Sequence, residues 1–423
     1  MTNPDAEAAL EDATLDLFAE LGWETVDAYH ERYAEGGPGQ GPYLGRATRH
    51  QVVLRPRLRA ALERLNPHLP PIALEQAIQQ LTRDRGALSL ARANQEVYHL
   101  LKKGVKVAYN TGNIAQGEEQ LVKVRVIDWE RPQNNDFLVA QQFWITGEVY
   151  TKRADLVGFV NGLPLLFGEL KAHYRRVKDA YRHNFGEYKA TIPQLFWYTS
   201  FVILSNGSDA RIGTITADWD YFSQWKKIND EGEEGTISLE TLLRGTCDLW
   251  RFLDLIENYV LYQEVRGGLR KIVAMNHQYL GVENAIQAVR NIEENEGQLG
   301  VFWHTQGSGK SFSMVFFSQK VLRVVSGNWT FVVVTDRRGL DDQIYNNFAR
   351  TGAVIEPEHR IRAQSGEHLK QLLREDHRYV FTLIQKFHTR DGGRYPTLSE
   401  RDDNIGLTDE AHRSQKDSRG VKW

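Results

Sequence analysis

The stretch "RADLVGFVNGLPLLFGELK", Arg153 to Lys171, is apolar almost throughout, yet it carries Asp155 near its start and Glu169 and Lys171 at its end. Asn161-Gly162 divides it, and Asn-Gly between β-rich runs is a strong signal for a tight hairpin turn. Side chains alternate along a strand, so Glu169 and Lys171, two apart, project from one face. Asp155 and Glu169 are equidistant from Gly162, so a three-residue loop at 161–163 sets them opposite each other. A strict two-residue turn instead pairs Asp155 with Gly168 and sends the two carboxylates to opposite faces. Convergence therefore requires the longer loop or a β-bulge.

In the converged register, Asp155 and Glu169 offer hard oxygen ligands to Mg²⁺, and Lys171 can position or polarise a water nucleophile. This is the D…E-x-K arrangement of metal-dependent nucleases. The same residues at a strand end also make a sheet-edge salt bridge, so the pattern alone leaves both readings open.

At 423 residues the chain exceeds what one core usually serves, so two or three domains are expected. A net charge of −3 excludes a uniformly basic nucleic-acid binder and leaves only a local basic surface for that role. The single cysteine, Cys247, excludes an internal disulfide and fits a reducing compartment. The start, "MTNPDAEAALEDATLDLF", lacks the basic and apolar regions of a signal peptide. No apolar run approaches the ~20 residues that span a bilayer, so no membrane partner is expected and a cytoplasmic location is.

Residues 7–23, "EAALEDATLDLFAELGW", have helical spacing and stop at Gly22; "RPRLRAALERLNP" and "PPIALEQAIQQLTR" predict two further helices with prolines at their ends. Short β-rich runs follow: "GVKVAY", "LVKVRVIDW", "DFLVAQQFWITG", the hairpin and "FVILSNG". Helices followed by a mixed sheet make one α/β domain, placed at 1–262. The acidic "NDEGEEGTISLE" at 229–240 predicts a surface loop. In a second domain, 263–423, strand-like "GVFWHT", "TFVVVTD", "YVFTLI" and "NIGLTDE" alternate with helical stretches, as in a parallel α/β sheet. The basic run at 46–65 reads either as a DNA-contacting surface or as the wet side of a helix.

"GVFWHTQGSGKSFSMVFFSQKVL" (300–322) predicts strand, glycine turn and helix. Gly307 and Gly309 let the backbone close around phosphates at a helix N-terminus; Lys310 would reach the β and γ phosphates and Ser311 would ligate Mg²⁺. The strict phosphate-loop pattern fails at its first glycine, which is His304 here. In "NIGLTDEAHRSQ", Asp409 and Glu410 end an apolar strand, where Asp409 can hold the Mg²⁺ of a bound nucleotide and Glu410 can polarise the attacking water. Each motif alone has a bland reading, a glycine turn or a solvated charge run; together and in order they point to a nucleoside triphosphate site.

"HTQGSGKS" and "DEAH" resemble motifs I and II of superfamily 2 helicase-like motors. By that resemblance Thr305, Gln306, Gly307, Ser308, Gly309, Lys310 and Ser311 form the nucleotide cradle, and the lobe is RecA-like. "NHQYLGVENAIQAV" (276–289) is similar to the upstream adenine-reading segment and nominates Gln278, which could equally be an ordinary helix-face glutamine. "VVVTDRRGLDDQI" (332–344) resembles motif Ia, which touches the nucleic-acid backbone, and "TLIQKF" (382–387) resembles the segment after it.

Nuclease-like hairpin and motor together resemble the R subunit of type I restriction enzymes. "RLNPHLP", "LLKKGVKV", "IDWERPQNNDFLV", "GFVNGLPLLFGELK", "YKATIPQLFWY", "ILSNG", "HTQGSGKS" and "DEAHRSQ" all have that family's character. The resemblance implies a PD-(D/E)xK-like nuclease domain, with Asp155 and Glu169 on metal and Lys171 catalytic, followed by the RecA-like lobe. It also implies ATP and Mg²⁺ as cofactors, double-stranded DNA as substrate, and separate methylation and specificity subunits as partners. The family's Q-x-x-x-Y element aligns with Asn184 and Tyr188, where asparagine replaces glutamine and packing is the alternative role. The literal "QLFWY", Gln194 to Tyr198, falls later, in an expected core strand. Glu11 is a possible acidic contributor from the first helix, with a solvated helix face as the better reading. Nothing strand-like follows "DEAHRSQ", so the second motor lobe is expected to be missing. The alternatives are a catalytically silent DNA- or partner-binding fragment and an independent helicase–nuclease.

Overall fold

The computed structural model describes residues 4–37, 40–110, 119–305, 307–387, 398 and 401–409. The chain divides into two compact units: Met1–Leu261 with Leu269–Asn276, and Tyr262–Gly268 with His277–Trp423. Both are mixtures of helices and strands.

In the first unit, helix α1 (Pro4–Glu20) ends before Gly22, whose φ of +92° turns the chain into strand β1 (Glu24–Asp27). Helices Arg55–Leu65 and Pro71–Thr82 each carry a proline in their first turn, where its missing N–H costs nothing. Strands β2 (Val105–Asn110) and β3 (Glu119–Val124) form a separate antiparallel ribbon. The main sheet is completed by β4 (Phe137–Thr146), β5 (Thr151–Val160), β6 (Leu163–Leu170), β7 (Phe201–Ser205), β8 (Ala210–Gly213) and β9 (Ser223–Gln224). Its order is β1-β4-β5-β6-β7-β8-β9, with β1/β4 and β6/β7 parallel and the remaining pairs antiparallel. Every residue of β6 and β7 is buried, which is why these strands read as unbroken apolar runs rather than alternating ones. At one edge of the core, buried Trp23 meets Phe18, Phe137 and Phe252 edge-on at 5.5, 4.9 and 4.9 Å.

The hairpin closes by a two-residue turn, and a bulge restores the register. Asn161 and Gly162 have φ of +52° and +76°, as a type I′ turn demands, and Val160 pairs with Leu163. The pairing then shifts by one residue: Phe159 faces Pro164, but Gly158 faces Leu166 and Leu156 faces Gly168. Pro164 has no N–H for the ladder, and a proline inside a buried strand belongs at a bulge. Continued by one step, the shifted register sets Asp155 across from Glu169. The turn itself is tied down. Asn161 is fully buried, its amide donating to Val126 O and Asn135 Oδ1 and its oxygen accepting from Asp136 N. A Cβ on Gly162 would lie 2.5 Å from Leu54 O. Gly162→Ala should therefore cost roughly 2–4 kcal/mol through backbone strain and this clash, read as a drop in the urea midpoint at unchanged slope.

Several expectations change. "QLFWY" is not a strand: Pro193–Phe196 forms a helical turn, and Asn94 Nδ2 donates to the carbonyls of Phe196, Trp197 and Thr199. Residues 229–238 contain neither helix nor strand, and Leu239–Thr246 begins a helix capped by the Ser238 hydroxyl. The basic run at 46–65 is mostly spoken for internally. Arg46 is fully buried against Glu31 with its guanidinium 3.8 Å over Phe143; Arg57 pairs with Glu24 and Asp136, and Arg59 with Glu75.

The chain crosses between the units within β10 (Val260–Val265) and β11 (Gly268–Val273). The second unit holds a three-stranded parallel sheet, order β13-β12-β14, from β12 (Thr330–Thr335), β13 (Tyr379–Leu383) and β14 (Asn404–Thr408). Helix Arg338–Arg350 makes the crossover that parallel pairing of β12 with β13 requires. Residues 301–305 do not form the expected strand: Val301 and Trp303, whose burial would have anchored it, are 80% and 89% exposed. Among the described residues no helix is long and apolar enough to cross a membrane.

Candidate active site

The bulged hairpin brings Asp155, Glu169 and Lys171 together. Leu170 N donates to Asp155 Oδ2 at 2.8 Å; Lys171 Nζ donates to Glu169 Oε1 at 2.7 Å and to Leu170 O at 2.9 Å. Glu169 is fully buried, and its second oxygen, Oε2, has no hydrogen-bond partner among the described residues.

Helix α1 adds two carboxylates. Glu11 is buried, not solvated as its helical position suggested, because α1 lies against the sheet; it accepts a hydrogen bond from Gln142 Nε2. Glu7, one turn earlier and absent from the sequence-based candidates, accepts from Ala172 N and lies 3.7 Å from Lys171 Nζ. One carboxylate oxygen each from Glu7, Glu11 and Asp155 falls within 4.8 Å of the others. Gln142 has a left-handed backbone, φ +54°, in the middle of β4. It sits between the paired positions Gln141↔Leu156 and Phe143↔Ala154, so the kink is beside Asp155.

Crowding buried carboxylates disfavours their charge. Burial first, then Asp155, pushes Glu11 up to about 7. Burial pushes Asp155 up to about 6 against the pull of Lys171 and the Leu170 N–H. Burial and Asp155 hold Glu169 well above the ordinary carboxylate range. Lys171 moves the other way: burial opposes its charge, but Glu169 and Asp155 outweigh it and raise the ammonium's pKa. An orphaned buried oxygen and carboxylates short of positive charge fit a divalent cation, and all the ligand atoms are hard oxygens.

This has a consequence for stability. Asp155 holds its proton to about pH 6, whereas the unfolded chain releases it near 3.8. The folded state therefore loses stability as pH rises between those values, on the order of 2–3 kcal/mol once both forms are ionised. In EDTA at pH 8, Asp155→Asn should raise Tm by a few degrees. Added Mg²⁺ should raise the wild-type Tm more at pH 8 than at pH 5 and the variant's very little; differential scanning fluorimetry reads both.

Tyr188 is buried edge-on to Phe167 at 5.7 Å, and its hydroxyl donates to Arg153 O at 2.9 Å. Asn184 hydrogen-bonds Tyr188 from a π-helical turn, Ala180–Phe185. A cleft of about 570 Å³ is lined by Glu7, Glu11, Gln142, Tyr29, Arg153 and Arg175 among others.

In the second unit, Gly307 and Gly309 take left-handed φ of +83° and +82° and lead into helix Lys310–Val324. Lys310 Nζ donates to His304 O at 3.2 Å, and Ser308 Oγ is buried without a partner among the described residues. Ser311 is the second residue of the helix and is half-buried, while Thr305 is exposed just before the loop. Gln278 Nε2 donates to Gly309 O at 3.0 Å and a ring nitrogen of His277 lies 3.0 Å from Ser308 O, so this helix braces the loop. Positive φ at two glycines, a lysine folded over the loop and an orphaned hydroxyl fit a phosphate chain. Asp409 follows β14, its N–H on Val334 O at 3.1 Å. Gln306 and Glu410 lie outside the described residues. In the motif Ia-like stretch, Asp341 is buried against Arg362, and the Asp336 carbonyl accepts from Gln385 Nε2 at 2.8 Å.

Residues 5–221 match the family model for the type I restriction enzyme R protein N terminus, and residues 277–422 match that for the SWI2/SNF2 ATPase. The chain is 36% identical over 424 aligned residues to the type I restriction enzyme HindI endonuclease subunit of Haemophilus influenzae, covering 97% of this chain and 39% of that protein. A Methanocaldococcus jannaschii protein provisionally named the MjaIXP type I restriction enzyme endonuclease subunit is 29% identical over 90% of this chain and 38% of its own length. The SauCOLORF180P endonuclease subunit of Staphylococcus aureus is 26% identical over 71% and 32%. The chain thus spans well under half the length of the relatives it matches.

Proposed function

Because the chain belongs to the type I restriction enzyme R protein family, we propose that its first unit is a PD-(D/E)xK-like endonuclease and its second a RecA-like ATP-binding lobe of a DNA translocase. The parent enzyme would cut double-stranded DNA in concert with methylation and specificity subunits. The observation that supports the nuclease reading is the convergence of Asp155, Glu169 and Lys171 with Glu7 and Glu11, the last two of which line a cleft.

Asp155 and Glu169 would hold Mg²⁺, with Glu11 and Glu7 as neighbouring oxygen donors. Bound there, the cation supplies Lewis-acid polarisation of the scissile phosphodiester and lowers the pKa of a coordinated water. Lys171 stays protonated, so it acts as a fixed positive charge that orients the attacking water and faces the charge developing on the phosphate. Glu169 aims that ammonium through its 2.7 Å contact, and Gln142 fixes Glu11. In the second unit, Thr305 to Ser311 would cradle the triphosphate, with Lys310 on the β and γ phosphates. Ser311 and Asp409 would hold its Mg²⁺, Glu410 would orient water, and Gln278 would read the adenine edge.

The test is nicking of supercoiled plasmid by the purified chain in Mg²⁺. Cutting that stops in EDTA, and that Asp155→Ala lacks, supports the reading. No cutting by the wild type, even with methylation and specificity partners added, overturns it.

A further inference from the structure

Several arginines of the first unit are paired with carboxylates: Arg46 with Glu31, Arg57 with Asp136 and Glu24, Arg59 with Glu75, Arg83 and Arg85 with Glu96, and Arg244 with Glu20 and Glu240. Arg49 and Arg153 are different. Both are exposed, and neither has a carboxylate ion-pair partner among the described residues. They are held instead by aromatic faces. The Arg49 guanidinium lies 4.9 Å from the Trp144 ring centroid and 5.6 Å from Tyr33, whose hydroxyl accepts from its Nε at 3.0 Å. Arg153 lies 5.3 Å from Tyr29 and 5.5 Å from the same Trp144. Trp144 and Arg153 are direct cross-strand partners on β4 and β5, and the Trp144 indole N–H donates to Tyr29 O at 3.2 Å.

A ring face orients a guanidinium without cancelling its charge, whereas a carboxylate does both. The row Arg49, Trp144, Arg153, Tyr29 therefore presents two cations held by rings rather than by carboxylate ion pairs, with Arg153 close enough to Glu11 and Asp155 to draw on their charge. It ends at the acidic cleft, because Arg153 and Tyr29 also line that cleft, as does exposed Arg175. Cations along the approach and carboxylates at the end suit a polyanion that brings one phosphate to the acids and rests the next ones on the arginines.

Resting on the nuclease reading of that cleft, we propose that the Arg49–Trp144–Arg153–Tyr29 row is a ledge that binds the sugar–phosphate backbone of duplex DNA beside the phosphate to be cut. Arginines already lie over the rings, so Trp144 and Tyr29 serve as supports for guanidinium groups rather than as platforms for unstacked bases. The ledge accordingly contacts phosphates without reading sequence.

The experiment is fluorescence anisotropy of a short labelled duplex with the full chain, in EDTA so that nothing is cut, across a salt series. The double variant Arg49→Gln with Arg153→Gln should bind about tenfold or more weakly at moderate salt, and the slope of log affinity against log salt should shrink by roughly 2, the loss of two phosphate contacts. Arg59→Gln, at an arginine already paired with Glu75, should leave both unchanged. The double lysine variant should restore the salt slope with only part of the affinity. Trp144→Ala should weaken binding with Tm and far-UV circular dichroism preserved. Wild-type-like affinity and slope in the double glutamine variant, no duplex binding by the wild type, or a strong preference for single strands would each overturn the ledge. The two readings separate cleanly. Arginine-dependent binding without any nicking in Mg²⁺ keeps the ledge and sinks the nuclease, and nicking by the wild type with arginine-independent binding does the reverse.

Discussion

Asp155→Asn and Lys171→Met should each lower the initial rate of plasmid nicking by about 10³-fold or more, with the fold intact. Asparagine is the more informative change at 155. Asp155 accepts the buried Leu170 N–H at 2.8 Å, and alanine would leave that donor orphaned at about 1–3 kcal/mol. Asparagine keeps the acceptor and the shape and removes only the charge, so a lost rate isolates the charge itself. At 171, methionine preserves the apolar stem but strips Glu169 Oε1 of the Lys171 ammonium, and both oxygens of a fully buried carboxylate then lack a partner among the described residues. Glu169 would take up a proton in response, so the single change disables two assigned groups.

The same electrostatics set the pH profile. The ammonium of Lys171 has a raised pKa, so it is charged across the neutral range and is not the group that titrates. Asp155 and Glu11 lose their protons near 6 and 7, so nicking at limiting cation should rise from pH 5.5 to 8, and excess Mg²⁺ should move the rise to lower pH by competing with protons. Initial rates against pH at two Mg²⁺ concentrations check this. A variant that nicks within tenfold of wild type, or a flat profile, would remove the hairpin from the chemistry.

How much of this site could be read from the chain depended on whether its geometry is local. Two strands joined by Asn161-Gly162 specify each other, so the hairpin and its three charged residues were legible; the unresolved point was register. Pro164 was the available clue, since a proline in a buried strand demands a bulge, and that bulge is what sets Asp155 against Glu169. Glu7 and Gln142 were not legible, and Glu11 only as a possible contributor, because their roles depend on how α1 meets Gln142 and Ala172, more than a hundred residues away in sequence. A glutamate on an amphipathic helix looks the same whether it meets water or another carboxylate. Likewise Arg46 and Arg49 share one basic run, yet one is buried on Glu31 and the other exposed on Trp144. In the second unit, alternating apolar residues at 300–305 predicted a strand that does not pair, while the glycines after it take the left-handed angles their spacing required.

Those glycines carry the second large effect: Lys310→Ala should weaken nucleoside triphosphate binding by about 10- to 100-fold while leaving nicking of plasmid without ATP unchanged. Lys310 Nζ donates to His304 O at 3.2 Å, a neutral acceptor that satisfies a donor without neutralising an ammonium. Exchanging that carbonyl for phosphate oxygens converts one ordinary hydrogen bond into charge-assisted ones, a difference of roughly 1.5–3 kcal/mol and hence the stated range. Gln278 and His277 brace Gly309 and Ser308 from the neighbouring helix. Gln278→Ala should therefore have two consequences: a looser loop that lowers affinity for every triphosphate, and, if its amide also reads the base, a smaller preference for ATP over GTP. Calorimetric titration of both nucleotides in Mg²⁺ separates them. Equal losses for ATP and GTP would confine Gln278 to bracing, and wild-type affinity in Lys310→Ala would mean that the glycine loop is not where the triphosphate sits.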